Sequence, residues 1–338
     1  MSCEQVINGV IGKRIPIRDA ALKATGQLKY VADMKLPQML HAKILFSPVA
    51  HAKIKSIDVS RAEMLPGVKA VVYYKNAPKV YYNSCGEVID QYHTELVFDD
   101  TVRFVGDRVA AVAAVDEATA EKALRLIEVE YEELPVNFDP EAGMREEAYV
   151  LHRTGNLAKG NLIEKIVQNA GDVDKAMLQA DYVYEDRYSL PAIHHGAIET
   201  HACIANYDAR KKLTVYTSSQ DSFAVRINLA KVFDLPMSRV RVVVPAMGGA
   251  FGGKVDMVLE PVAALLAIKT GRAVKLVYNR KETITSTRSR HAMKIDIKTG
   301  VMKDGRIIAQ EYKVYCNAGA YASGSSNIVW AMLLLPLA

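Results

Sequence analysis

The chain has 338 residues, 50% of them hydrophobic and 24% charged, which excludes an intrinsically disordered, collagen-like or low-complexity protein and favours two or three domains with a sizeable core. Lys and Arg number 43 against 38 Asp and Glu; the net charge of +5 is small and the signs are interspersed, so no nucleic-acid-binding stripe is expected. Cys3, Cys85, Cys203 and Cys316 are too far apart for a CxxC or Cys/His cluster, which argues against iron–sulfur and zinc sites in this chain and against a disulfide framework.

In chain order, Gly26 to Val59 reads as short strands separated by turn residues. RAEMLPGVKAVVYY predicts a helical turn closed by Pro66-Gly67, then a strand over Val68 to Tyr74 in a sheet interior. VRFVGDRVAAVAAVDEATAEKALRLIEVEYEELP reads as strand, turn at Gly106-Asp107, strand, helix, strand. Asp116 is the helix N-cap, and Ala118, Ala120, Ala123, Leu124 and Ile127 form its apolar face. Turn residues and weak periodicity across 139–160 mark a linker. GDVDKAMLQA predicts a short capped helix, DYVYEDRYSL a strand, and CIANYDARKKLTVYTSSQ a hairpin turning at Asp208. SFAVRINLAKVFDLP is read as an amphipathic helix with Phe223, Ile227, Ala230 and Val232 on its apolar face. RVRVVV is read as a buried strand, and VAALLAIKTG as an apolar helix with Pro261 near its start and Gly271 at its stop.

The sharpest motif is MGGAFGGK, Met247 to Lys254. Glycines let a ligand approach the backbone, and free N–H groups there can cradle anionic oxygen; a tight structural turn is the alternative. The spacing fits neither GxGxxG nor the P-loop, since Val255 follows Lys254. Gln220, at the end of LTVYTSSQ, either points its amide into a cleft or caps the following helix. In HHGAIETHA, strand alternation sends His195, Ala197 and Glu199 to one face and His194, Gly196 and Ile198 to the other, which argues against a metal site. TRSRH, Thr287 to His291, offers Arg side chains to an anionic cofactor tail or forms a solvated strand end.

Taken in order, TGQLKYVADMKLPQMLHAKILFSPVAHAKIKSID, VRFVGDRVAAVAAVDEATAEKALRLIEVEYEELP, GDVDKAMLQADYVYEDRYSLPAIHHGAIETHACIA, TSSQ, MGGAFGGK, TRSRHAMKIDIKTGVMKDGRI and NAGAY resemble the molybdenum-binding subunit of the xanthine dehydrogenase and aldehyde oxidase family, bacterial members above all. The resemblance covers nearly the whole chain. It implies an α+β fold: an α/β hammerhead domain over 1–138, a linker over 139–160, and the first half of a molybdopterin-binding domain over 161–338. It implies a molybdenum–molybdopterin cofactor held through its pterin dithiolene, with no side chain ligating the metal. By position, Gln220 matches the glutamine that contacts the molybdenum centre. Phe251 with Gly252 matches the turn whose amides face its oxo ligand, Gly248, Gly249 and Gly253 give that turn room, and Val255 lies near the substrate.

The implied activity is hydroxylation of a purine or related N-heterocycle with oxygen from water. Electrons would pass to [2Fe–2S] and FAD on an iron–sulfur subunit and an FAD subunit. A nicotinate or aldehyde hydroxylase subunit is the alternative within the family, and a truncated non-catalytic scaffold the alternative outside it. Val255 replaces the purine-binding glutamate of many animal members. The family's catalytic glutamate and substrate-orienting arginine lie beyond NAGAY and have no counterpart here, so no catalytic residue is assigned and the isolated chain is expected to be inactive. The apolar run Trp330 to Ala338 is expected to pack against a chain carrying the rest of the molybdenum domain. A polar start after Met1 and the shortness of the apolar stretch at 328–338 lead to the expectation of a cytoplasmic setting.

Overall fold

A computed structural model describes residues 12–86, 92–154, 157 and 160–334. Helix α1 (Ala20–Ala24) precedes β1 (Leu40–Phe46), β2 (Ala52–Asp58), α2 (Ser60–Glu63) and β3 (Val68–Tyr73). β4 (Thr101–Val102), β5 (Arg108–Ala114), α3 (Glu117–Leu124) and β6 (Glu128–Glu133) follow. Next come α4 (Pro140–Gly143), α5 (Val173–Gln179), β7 (Tyr182–Leu190), β8 (Ala202–Tyr207), β9 (Leu213–Thr217) and α6 (Ser222–Val232). The remainder is β10 (Val240–Val243), α7 (Glu260–Thr270), β11 (Val274–Val277), α8 (Arg280–Ser286), β12 (Ala292–Val301), β13 (Ile307–Asn317) and α9 (Ser325–Leu334).

Helix ends follow local chemistry. The carboxylates of Asp116, Asp172 and Asp221 accept from the first-turn amides of α3, α5 and α6, and Gly271 closes α7 with φ 62°. The centre is a seven-stranded sheet in the order β10-β9-β8-β11-β1-β5-β3. β5 reads RVAAVAA, and Val109 to Ala114 are all fully buried. Its small side chains let α7 pack on one face and α3 on the other, so the strand is apolar on both sides.

The sheet takes β1, β3 and β5 from before residue 139 and β8 to β11 from after it, joined where Leu40 lies opposite Val274 in parallel pairing. The two sequence regions therefore share one core. Arg288 ties them again: it pairs with Asp256 at 2.6 Å and with Glu95 at 2.6 Å, and donates to Ser84. Within 139–160, Asp139 caps α4 and bonds Lys294 at 2.8 Å, which docks this stretch on the three-stranded sheet β13-β12-β7. A second three-stranded sheet has the order β4-β2-β6.

Several expectations are corrected. β3 and β10 are the edge strands of the large sheet, and of β10 only Val240 is buried. In α6 the buried positions are Ala224, Val225, Asn228, Leu229, Ala230 and Val232, while Phe223 is 72% exposed. On α3, Ala118 is exposed. Strand position in a sheet and helix rotation are set by partners distant in sequence, which an apolar run does not specify.

The β13-β12-β7 sheet has two unlike faces. Register places Lys294, Asp296 and Lys298 beside Arg187 and Glu185 of β7, and here α4 and α5 dock: Arg187 and Lys294 bond Glu141, and Met177 and Ala180 lie over Gly300. The opposite face carries Tyr182, Tyr184, Tyr188, Leu190, Ile295, Ile297, Tyr312 and Val314, and its tyrosines are about half exposed. On α9, Trp330 is likewise exposed; residues 335–338 of the apolar tail, like Cys3, lie outside the described residues.

Candidate functional site

β9 and β10 run parallel, so the segments leaving their carboxyl ends, 218–221 and 244–259, lie side by side. In α/β sheets this end of the strands is where ligands bind. The second segment contains the glycine turn. Gly249 and Gly252 have φ of 96° and 88°, and Phe251, with φ 56°, is held in a left-handed conformation and is 74% exposed. A Cβ on Gly248 would come within 2.6 Å of the Glu199 Cβ, and one on Gly253 within 2.6 Å of His195 Nδ1. The glycines thus answer to both conformation and packing.

Gln220 lies against this turn. Its Oε1 accepts from the amides of Gly252 at 3.0 Å and Lys254 at 3.2 Å, and its own N–H donates to the Lys254 carbonyl at 2.8 Å. With the carbonyl end of its amide so committed, the exposed NH₂ end remains as a donor. The strand itself ends at Thr217, and it is Asp221, not Gln220, that caps α6. The N–H groups of Gly249, Ala250 and Phe251 have no protein acceptor among the described residues, whereas that of Gly252 is engaged by Gln220. Val255 is half-buried immediately after Lys254.

Beneath the turn lie residues whose joint role the sequence did not disclose. Lys254, only 1% exposed at its side chain, pairs with Glu199 at 2.7 Å. The same Glu199 oxygen accepts from Gly248 N–H at 2.8 Å. His201 Nε2 meets the Gly253 carbonyl at 3.1 Å; burial brings this imidazole down to about 4 against the pull of that carbonyl, so it is neutral and donates. Glu260, also buried, accepts from Thr217 Oγ1 and from the amide of Val258, fixing the entry to α7. An acid and a lysine beside a glycine run were the available signals.

The alternation read into HHGAIETHA does not hold. Beyond a bridge at Ile193 the segment is irregular, and Gly196 turns it with φ 66°. Arg280 braces it through the carbonyls of Ala197 and Ile198, and His194 meets Thr287 at 3.2 Å. TRSRH divides: Arg288 is held in the ion-paired cluster with Glu95 and Asp256, a place neither reading expected, whereas Arg290 is exposed just before β12 and donates to the Pro191 carbonyl, as a solvated strand end would.

The arrangement fits a metal cofactor that brings its own ligands. It offers glycine-made room, backbone donors and one amide donor, and no group of three or more His, Cys, Asp or Glu side chains is poised to hold a metal ion among the described residues. A cavity of about 1780 Å³ lies elsewhere, lined by stretches of 135–174, by β13 and by α9, and it includes neither Gln220 nor the glycine turn. Among the described residues, no helix is long and apolar enough to cross a membrane.

Comparison with known proteins gives the family. Residues 25–135 match the family model for the aldehyde oxidase and xanthine dehydrogenase a/b hammerhead domain, and residues 155–336 the model for the molybdopterin cofactor-binding domain. The chain is 41% identical over 316 residues to a probable xanthine dehydrogenase subunit of Bacillus subtilis (strain 168), covering 93% of this chain and 41% of that one. It is 38% identical over 320 residues to the nicotinate dehydrogenase large molybdopterin subunit of Eubacterium barkeri, covering 95% and 73%. The fold superposes on quinoline 2-oxidoreductase from Pseudomonas putida 86 with a TM-score of 0.80 at 30% identity, over 90% of this chain and 39% of that one. Carrying a hammerhead and a molybdopterin cofactor-binding domain in that order, the chain belongs to the xanthine dehydrogenase and aldehyde oxidase family of molybdenum hydroxylases.

Proposed function

We propose that the chain forms part of a hydroxylase acting on an electron-poor carbon beside nitrogen in a purine or related heterocycle, with Gln220 and the turn Gly248 to Gly253 contacting the molybdenum cofactor. The observation that carries this reading is the paired commitment of Gln220 Oε1 to the Gly252 and Lys254 amides, which leaves its NH₂ directed outward. When bound, the cofactor supplies two-electron oxidation with oxygen drawn from water. The chain's own part is to donate: Gln220 Nε2 and the Phe251 amide offer hydrogen bonds to an anionic or oxo group, and the glycines let it approach the backbone. Val255 is assigned to the substrate's surroundings, and its apolar side chain favours no charged purine contact, which keeps nicotinate-like heterocycles and aldehydes as the second reading; the name of the Eubacterium barkeri relative supports it.

The hammerhead domain is assigned to 1–138 and the cofactor domain to 161–338, the docked 139–160 stretch connecting them. The chain spans about two fifths of the Bacillus subtilis relative's length, and the general base is assigned to the remaining length of such a subunit. The tyrosine-lined face of β13-β12-β7 and the exposed Trp330 are the surface offered to that part. Iron–sulfur and FAD subunits complete the electron path, in the cytoplasm.

The test is turnover of xanthine, nicotinate and an aldehyde in oxygen-18 water by the chain assembled with these partners. Heterocycle product carrying the label is expected, with Gln220→Leu lowering kcat about 100-fold. Assembled protein that binds no molybdenum, or a Gln220→Leu variant of unchanged kcat, overturns the assignment.

A further inference from the structure

We propose that Glu199 and Lys254 are positioning residues, a clasp across the two ends of the glycine turn that fixes which end of the Gln220 amide faces outward. The proposal rests on the reading of Gln220 as a cofactor donor. The ends of the turn, Gly248 and Lys254, are joined through one carboxylate. Glu199 Oε2 accepts from Gly248 N–H at 2.8 Å and from Lys254 Nζ at 2.7 Å, and Glu199 N–H donates to the Gly248 carbonyl at 3.1 Å. Lys254 in turn holds the partner strand end with its main chain. Its amide donates to Gln220 Oε1 at 3.2 Å, and its carbonyl accepts from Gln220 N–H at 2.8 Å and Ser219 Oγ at 3.3 Å.

The cost of burying an ammonium makes this more than incidental packing. A lysine side chain 1% exposed is tolerated only when paired, and Glu199, itself 10% exposed, is the acid that pairs with it. The clasp is also the feature that opposes relaxation of a turn carrying an exposed phenylalanine at positive φ. If the Lys254 backbone shifts, the Gln220 carbonyl loses one of its two donors, and only the Gly252 amide then opposes a rotation that would present oxygen instead of nitrogen. A carbonyl facing an oxo group repels where NH₂ attracts.

Lys254→Met, Lys254→Arg and Glu199→Gln test this with two readouts. In the chain itself, amide hydrogen exchange of peptides spanning 247–254 and 218–221 is expected to quicken at least about tenfold in Lys254→Met, with α7 and β12 unchanged, and to recover in Lys254→Arg. In the assembled, loaded protein, Lys254→Met is expected to keep its KM, lose kcat and shift the molybdenum electron paramagnetic resonance signal, while Glu199→Gln, which retains an acceptor for Gly248 N–H, shows a smaller change of the same kind. Unchanged exchange at the turn, or exchange that quickens equally through α7 and β12, overturns the clasp and leaves an ordinary core pair. Should the wild-type assembly bind no molybdenum, the cofactor reading fails, while the exchange experiment still decides whether the pair fixes the turn.

Discussion

The seven-stranded sheet and the β13-β12-β7 sheet handle apolar surface in opposite ways. In the first, β5 buries both faces, and helices of this chain cover each side. In the second, the charged face is the covered one, docked on α4 through Glu141 and on α5 through Met177 over Gly300, while tyrosines and aliphatic side chains face outward. Self-sufficiency is thus uneven: the glycine turn and Gln220 follow strands of the first sheet, and the second sheet leaves an apolar face open. The site leaves the strand ends at the β10 margin of the first sheet, and the bonds that Gln220 and Glu199 make to the turn hold its geometry there.

The largest expected effect tests the joint between the regions. Arg288→Ala leaves Glu95 and Asp256 buried without their shared partner and should lower unfolding stability by about 3–5 kcal/mol in denaturant titration. A loss below about 1 kcal/mol would mean that the cluster is dispensable. Acid should act next most strongly. Burial, aided by the charge of Arg103, brings His152 down to about 4, and burial does the same to His201. The unfolded chain therefore binds protons that the folded one refuses, so stability is full above about pH 6.5 and declines as pH falls towards about 4, by up to about 3 kcal/mol per histidine. Melting temperature against pH checks this, and His201→Gln should flatten part of the slope.

On the closed sheet, Asp221→Ala removes two first-turn hydrogen bonds of α6 next to Gln220 and should cost about 1 kcal/mol. On the open sheet, Tyr184→Ser should change the stability of the isolated chain by less than about 0.5 kcal/mol. The same substitution should weaken assembly with the remainder of the subunit, read by analytical ultracentrifugation. Equal, small effects in both settings would remove the contrast between the two sheets.

What the sequence disclosed follows the range of the interactions concerned. Asp116 and Gly271 announced helix ends because a cap bonds within a few residues. The edge positions of β3 and β10 did not show, because the apolar runs that form them look alike in a centre or at a margin, and the β1 to β11 pairing joins distant segments. At the site, the glycines and Gln220 stood out by composition and by resemblance. The Glu199 to Lys254 pair spans 55 positions, and each residue alone looked like something else: Glu199 one face of an alternating strand, Lys254 the end of a motif. Arg288 misled for the same reason, since its partners Glu95 and Asp256 come from other segments.

The position of the molybdenum itself tests the account most directly. Anomalous scattering at the molybdenum edge, from crystals of the assembled and loaded protein, should place the metal beside Gln220 Nε2 and the Phe251 amide, at the carboxyl ends of β9 and β10. A molybdenum peak in the 1780 Å³ cavity lined by 135–174, β13 and α9, away from Gln220 and the glycine turn, would contradict it.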